Sequence, residues 1–314
     1  MVAGSNLRLV VIGQPGMSEV DDFVARFDGD ASVEVEVALT ESPDEVDAAV
    51  ADAVERGVDC VASVGGDGSN NLVVAALIRA GSDAAFAPVP AGTVNLVAQV
   101  LGIDDGDASA HAIRERRTRL IDLGATEQGI FVMNTSTGFD AAVIDDADDH
   151  GDARFGRLSF VRAGLRRLRR ESGEQVRVEA NGEVVYDGRA TSVIVMNVGQ
   201  RASDSLQVAP DAEPDDGVLD VMVVRVDNVR RMMLSAVRLA LRRDVPDRDV
   251  VRGRGERIEI EWAREVPSQR DGDADEAVRS LTATCLPGAL RIHHGSLRTP
   301  SAHSKSSTGS PGTW

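Results

Sequence analysis

The sequence predicts an α/β domain built on a parallel sheet, followed by an antiparallel β domain with added helices. Three observations predict it. Up to about Ala125, short apolar runs alternate with helical patterns, the rhythm of a parallel sheet covered on both faces. Beyond about Leu120, strand-like runs dominate. Among them, Asn181-Gly182 between two such runs is a strong hairpin signal, because both residues tolerate positive φ.

The elements follow in order. Leu7–Gly13 and Val33–Leu39 read as strands. Ser42-Pro43-Asp44-Glu45 is a capping box with proline in the first turn, opening a helix that ends near Gly57. Val58–Val64 is nearly all apolar, as a strand buried on both faces must be. Ser69–Ala80 reads as a helix stopped by Gly81, Ala85–Val89 as a strand and Val94–Leu101 as a short helix. In the second half, strands are expected at Ile130–Thr135, Gln175–Ala180, Val184–Asp187, Thr191–Val198, Leu219–Val226, Arg257–Trp262 and Ser280–Cys285. Helices are expected at about Phe155–Arg170 and Val229–Arg243. Pro300–Trp314, rich in Ser, Gly and Pro, is expected to be disordered. The expected units are therefore residues 1–122, 123–299 and a tail of 300–314.

Composition narrows the function. The chain has 314 residues, 42% of them hydrophobic and 27% charged, and a formal net charge of −17. So acidic a chain is not expected to bind nucleic acid. No apolar run is long enough to cross a membrane as a helix, and the N-terminus turns polar too soon for a signal peptide. Two cysteines, Cys60 and Cys285, cannot build a disulfide framework or a Cys-rich zinc site. The single lysine, Lys305, lies in the tail, which excludes a P-loop or a lysine Schiff base from the folded body.

The sharpest chemical signal is Gly65-Gly66-Asp67-Gly68-Ser69-Asn70-Asn71, directly after a buried strand and directly before a helix. Glycine there permits positive φ and close backbone approach, and the N–H groups opening a helix favour an anion such as phosphate. The plain alternative is a tight strand-to-helix turn. A second loop, Pro88-Val89-Pro90-Ala91-Gly92-Thr93-Val94-Asn95, has the same strand-to-helix placement. In an open α/β sheet, two such loops would face one crevice at the carboxyl ends of the strands.

Together these loops resemble the diacylglycerol kinase-type lipid kinases, and more distantly the NAD kinases. The resemblance continues through Gly138-Phe139-Asp140-Ala141, Ala209–Asp220 (APDAEPDDGVLD), Asp271-Gly272-Asp273 and Pro287–Arg291 (PGALR), spanning roughly residues 7–293. It implies an ATP-dependent kinase with an NAD kinase/diacylglycerol kinase-like α/β domain for ATP. A C-terminal β-sandwich would serve the lipid. Carried over by position, it places Thr40, Gly65, Gly66, Asp67, Gly68, Ser69, Asn70, Asn71, Gly92, Thr93 and Asn95 around ATP. Asp67 would organise water and Mg²⁺ by the phosphates. It also implies a structural Mg²⁺ or Ca²⁺ held by Asp216 and by the backbone carbonyls near Glu213 and Val218, oxygen donors suited to a hard cation.

The family's general base is a glutamate; here that position is Asp273, one methylene shorter. Its plain alternative is a solvated carboxylate in the Asp271–Glu276 acidic cluster. A second departure is Gly13-Gln14-Pro15-Gly16-Met17-Ser18, where the family carries N-P-x-S-G. A third is Leu96, where many members carry aspartate. A nucleotide-binding pseudokinase and a kinase of a soluble substrate therefore remain as alternatives. Phe155–Arg170 is basic and amphipathic, which suits docking on anionic lipid or simple packing on the β domain. The expected partner is a lipid substrate at a membrane surface. The expected location is cytoplasmic and peripheral to the membrane, with a homodimer as the further expectation.

Overall fold

The computed structural model describes residues 6–93, 95–138, 173–198, 201–203, 206–207, 213–225 and 249–295. The helices expected at 155–170 and 229–243, residues 139–141, residues 209–212 and the tail lie outside them.

The chain runs β1 (Leu7–Gly13), α1 (Ser18–Ala25), β2 (Val33–Leu39), α2 (Pro43–Glu55), β3 (Cys60–Gly65), α3 (Asp67–Arg79), β4 (Ala85–Pro90), α4 (Leu96–Val100) and α5 (Gly106–Arg114). Among the described residues it continues as strands: β5 (Thr118–Thr126), β6 (Gly129–Phe131), β7 (Asn134–Gly138), β8 (Glu174–Ala180), β9 (Glu183–Ala190), β10 (Ser192–Met196), β11 (Arg201–Ser203) and β12 (Leu206–Gln207). The last four are β13 (Leu219–Val224), β14 (Val250–Gly255), β15 (Arg257–Arg270) and β16 (Asp273–His293).

The first four strands form a parallel sheet in the order β4-β3-β1-β2. Their apolar runs are explained by two cores, one on each face. Val10, Ile12, Val61 and Phe86 pack with α2, α3 and α4, whereas Leu9, Val11, Ala62 and Val89 pack with Val20 and Phe23 of α1 and Ile113 of α5. Neither α1 nor α5 was expected from the sequence. Both are short, and α5 opens at Gly106 in a Gly/Asp-rich stretch that reads as loop; Asp105 caps it by accepting the Ala108 N–H at 2.8 Å.

The second unit is an antiparallel β-sandwich whose core centres on Trp262, Phe131, Val178, Val193 and Leu219. The Asn181-Gly182 hairpin forms as expected, with φ of 51° and 81°. The expected strands at 257–262 and 280–285 are segments of far longer ones, β15 and β16. Their continuations carry polar residues that hide the alternation. Ser268 and Gln269 are buried but hydrogen-bonded, and much of Asp273–Ser280 is exposed. The 21-residue β16 joins the two units. It pairs with β15, then with β5, and Ile292 at its end pairs with Phe86 of β4. Leu290 and Ile292 thus lie in the same core as Val10 and Phe86.

Candidate functional site

At the carboxyl ends of β3 and β4 the two glycine loops touch. Pro90 pairs with Gly65, and the Ala91 N–H donates to the Gly65 carbonyl at 3.0 Å. A Cβ on Gly92 would lie 2.6 Å from the Gly66 Cα, so this crossing admits only glycine at 92. Asn95, in the left-handed region at φ 55°, cinches the second loop. Its Oδ1 accepts the Gly92 N–H at 2.9 Å and its Nδ2 donates to the Gly92 carbonyl at 2.7 Å.

The structure corrects the reason for the glycines. Gly65, Gly66, Gly68 and Gly92 are absent from the residues with positive φ; close approach demands glycine at 65 and 92 instead. A Cβ on Gly65 would strike the Ser69 side chain at 2.6 Å, while one on Gly68 would meet nothing within 4 Å. Gly68 thus sits in the first turn of α3 facing open space. No side chain caps that turn, although Ser42, Asp67 and Asp105 supply acceptors to α2, α4 and α5. These features fit a phosphate chain: uncapped helical N–H groups beside a face kept bare by glycine.

Asp67 has a structural task. Its two oxygens accept the N–H groups of Leu96 and Val97 at 3.0 and 2.9 Å, tying α3 to the start of α4. This places a carboxylate at a helix N-terminus, where charge and dipole agree. Asn70 does not line the crevice: it is wholly buried, and no hydrogen-bond partner reaches either polar atom of its amide. Thr93 is exposed. Thr40 is buried, donates its N–H to the Gly13 carbonyl at 2.9 Å, and lines a cavity of about 120 Å³ with Gly13, Ser42, Ser63 and Ser69. The fold therefore brings Thr40 and Ser69, distant in sequence, to one hollow beside the glycine loops.

Asp271-Gly272 is a second two-residue hairpin turn, with φ of 50° and 96° between the paired residues Arg270 and Asp273. The dipeptide carries the same signal as Asn181-Gly182. The acidic cluster is not a uniform solvated face. The Asp271 carboxylate accepts the N–H groups of Val132, Met133 and Asn134 at 2.7, 2.8 and 2.9 Å. Burial pushes its pKa up to about 6, against the pull of those three donors. The buried Gln269 accepts the Gly272 N–H at 2.8 Å and donates to Asn134 Oδ1 and Ser136 Oγ. Arg270 grips Asp275 through two nitrogens. Asp273 is the exposed first residue of β16. Its turn is bolted to residues 132–134, and Val132 and Met133 pack in the core shared with α3 and α4. The candidate base and the glycine loops are thereby referenced to one framework.

One residue at the junction was missed in the sequence. Asp122 is buried in β5; its oxygens accept the Gly217 and Gly288 N–H groups, each at 2.7 Å, and its own N–H donates to the Pro214 carbonyl. The available signal was a lone aspartate inside the apolar run Leu120–Leu123. The turn it holds, Glu213–Val218, is where the resemblance implies a metal ion. The donors there do not fit one. Asp216 Oδ2 accepts from Arg254 at 2.5 Å, and its Oδ1 accepts the Val218 N–H at 3.2 Å.

Comparison with known proteins agrees with this architecture. Residues 13–126 match the diacylglycerol kinase catalytic domain, and residues 133–294, more than half the chain, match the YegS C-terminal NAD kinase beta sandwich-like domain. The chain belongs to the diacylglycerol kinase-type lipid kinase family. Two relatives bear the name "Probable lipid kinase YegS-like". That of Pseudomonas aeruginosa (strain UCBPP-PA14) is 29% identical over 89% of this chain and 91% of its own length. That of Stenotrophomonas maltophilia (strain K279a) is 28% identical over 91% of this chain and 95% of its own. The crystal structure of a diacylglycerol kinase from Bacillus anthracis str. Sterne shares the fold, with a TM-score of 0.72 at 18% identity, over 93% of this chain and 97% of that one.

Proposed function

We propose that this chain is an ATP-dependent lipid kinase that transfers the γ-phosphoryl group to a hydroxyl of diacylglycerol or a related lipid. The observation that carries the reading is the uncapped first turn of α3, bare at Gly68 and locked against the Gly92 loop at the strand ends. Phosphates bound there would receive backbone N–H groups and the positive end of a 13-residue helix. The hollow at Thr40 and Ser69 adjoins this turn and offers hydroxyls to the rest of the nucleotide. A divalent ion carried in with ATP would neutralise charge on the transferring group. Asp273, on a turn fixed by Asp271 and Gln269, would accept the proton of the lipid hydroxyl as the phosphoryl group leaves ATP. The Arg-rich stretch at 154–170, known here from sequence alone, would hold the chain at an anionic lipid surface. No helix among the described residues is long and apolar enough to cross a membrane.

The test is transfer of labelled phosphate from ATP to diacylglycerol in mixed micelles, with NAD as the soluble comparison. Label is expected in the lipid. Asp273→Asn is expected to lower kcat by about 10²- to 10⁴-fold while leaving ATP affinity in place. Label in NAD alone would move the reading to a soluble-substrate kinase. ATP binding without transfer to any acceptor would favour the pseudokinase, for which the shortened Asp273 is the specific support.

A further inference from the structure

We propose that Arg254 is a built-in cation at the Glu213–Val218 turn. It takes the electrostatic place of the divalent ion that the family resemblance implies, so this turn holds its shape without metal. The turn gathers negative charge: Asp215, Asp216 and, two residues beyond it, Asp220, with the buried Asp122 carboxylate behind Gly217. Such a cluster needs a positive partner to stay folded, because like charges repel most where water is partly excluded.

The structure supplies that partner from the adjacent strand. Arg254 on β14 pairs directly with Asp220 on β13, so the strand register, not a chance side-chain pose, sets it there. From that position its Nη2 reaches Asp216 Oδ2 at 2.5 Å and Asp220 Oδ2 at 3.4 Å. Arg119 meets Asp215 at 3.6 Å. Asp216 is the one side-chain ligand the resemblance implies, and both its oxygens are engaged. A hard cation wants six or more oxygen donors; a guanidinium needs only carboxylates within reach of its fork. Asp122 completes the device from inside by holding Gly217, which takes φ 77°. One consequence is functional: a divalent-ion requirement in phosphoryl transfer would follow the nucleotide alone. Another is that the turn weakens with salt, since Arg254 is half-exposed and its pairs are open to screening.

The experiment is thermal unfolding of the full chain, without nucleotide, in EDTA, in millimolar MgCl2 and in millimolar CaCl2. Arg254→Gln, Arg254→Lys and Asp216→Asn are measured alongside. Any ion-dependent shift of the unaltered chain is expected to equal that of Asp216→Asn, with none arising at the turn. Arg254→Gln is expected to melt several degrees lower in EDTA and to recover when Ca²⁺ or Mg²⁺ enters the vacated carboxylates. Arg254→Lys should lie between. Three results would overturn the proposal. The first is an ion-dependent rise in the unaltered chain that Asp216→Asn abolishes. The second is an Arg254→Gln melt equal to that of the unaltered chain in EDTA. The third is a lowered Arg254→Gln melt that neither ion restores, which would leave Arg254 as an ordinary ion pair.

Discussion

Gly68→Ala is expected to make the protein more stable and a poorer ATP binder. Gly68 lies in the first turn of α3, and a methyl group there meets no atom within 4 Å. The substitution therefore adds helix propensity at no steric cost, a gain of up to about 1 kcal/mol. For a domain of this size that raises Tm by roughly 2–4 °C. The bare space is also where a phosphate would approach the α3 N–H groups. Displacing one charge-assisted hydrogen bond costs about 1.5–3 kcal/mol, or roughly 10- to 150-fold in Kd. Calorimetric titration with ATP and a melting curve on one preparation read both signs. Gly92→Ala is the contrast, because its methyl group would press on the Gly66 backbone at 2.6 Å and should lower both Tm and affinity. Unchanged ATP affinity in a stabilised Gly68→Ala variant would place the phosphates elsewhere. A lowered Tm would mean that the space is not open.

The remaining predictions concern the ties that hold the site. Asp67→Ala removes both acceptors at the start of α4 and should cost about 1–2 kcal/mol in urea unfolding; an unchanged midpoint would show that the link between the loops carries nothing. Asp271→Asn keeps a turn-forming Asn-Gly but sets an NH2 group against at least one of three backbone donors, so a loss of about 1–3 kcal/mol is expected. Wild-type stability would refute the bolt. His293 is buried, and desolvation first, outweighing its bond to the Ala112 carbonyl, lowers its pKa to about 4. Its contribution is present above pH 6.5 and is lost as pH falls through 4, because the unfolded chain takes up the proton first; the full span is about 3 kcal/mol. Asp271, with its raised pKa, runs the opposite way, losing its contribution as pH rises from about 4 through 6. The pH profile of His293→Asn minus that of the unaltered chain isolates the histidine, and two parallel acid limbs would refute the assignment.

The site was unevenly legible. Both glycine loops could be located and assigned to strand ends from residue type and spacing, and the structure brings them together. The direction of Asn70 was not legible, because sequence adjacency does not set it: in a helix opening at Asp67 it turns inward to the core. Asp271 was taken with its acidic neighbours because its partners, residues 132–134, are more than 130 positions away. Arg254 had no signal, since its meaning depends on the register between β13 and β14.

What the sequence alone determined is local. Apolar periodicity, Asn-Gly and capping chemistry act within a few residues, so strands, helices and the strand-to-helix placement of the glycine loops could be read from it. The tertiary structure alone decided which charge answers which. It set Asp67 on the start of α4, Asp122 on two distant turns, Asp271 on the 132–134 backbone and Arg254 on Asp216. It also carried one strand, β16, from the sandwich back into the first core. The physical reason is that a buried or paired carboxylate is satisfied by whatever donor the fold delivers, and delivery is set by strand order and register, which no short stretch of chain encodes.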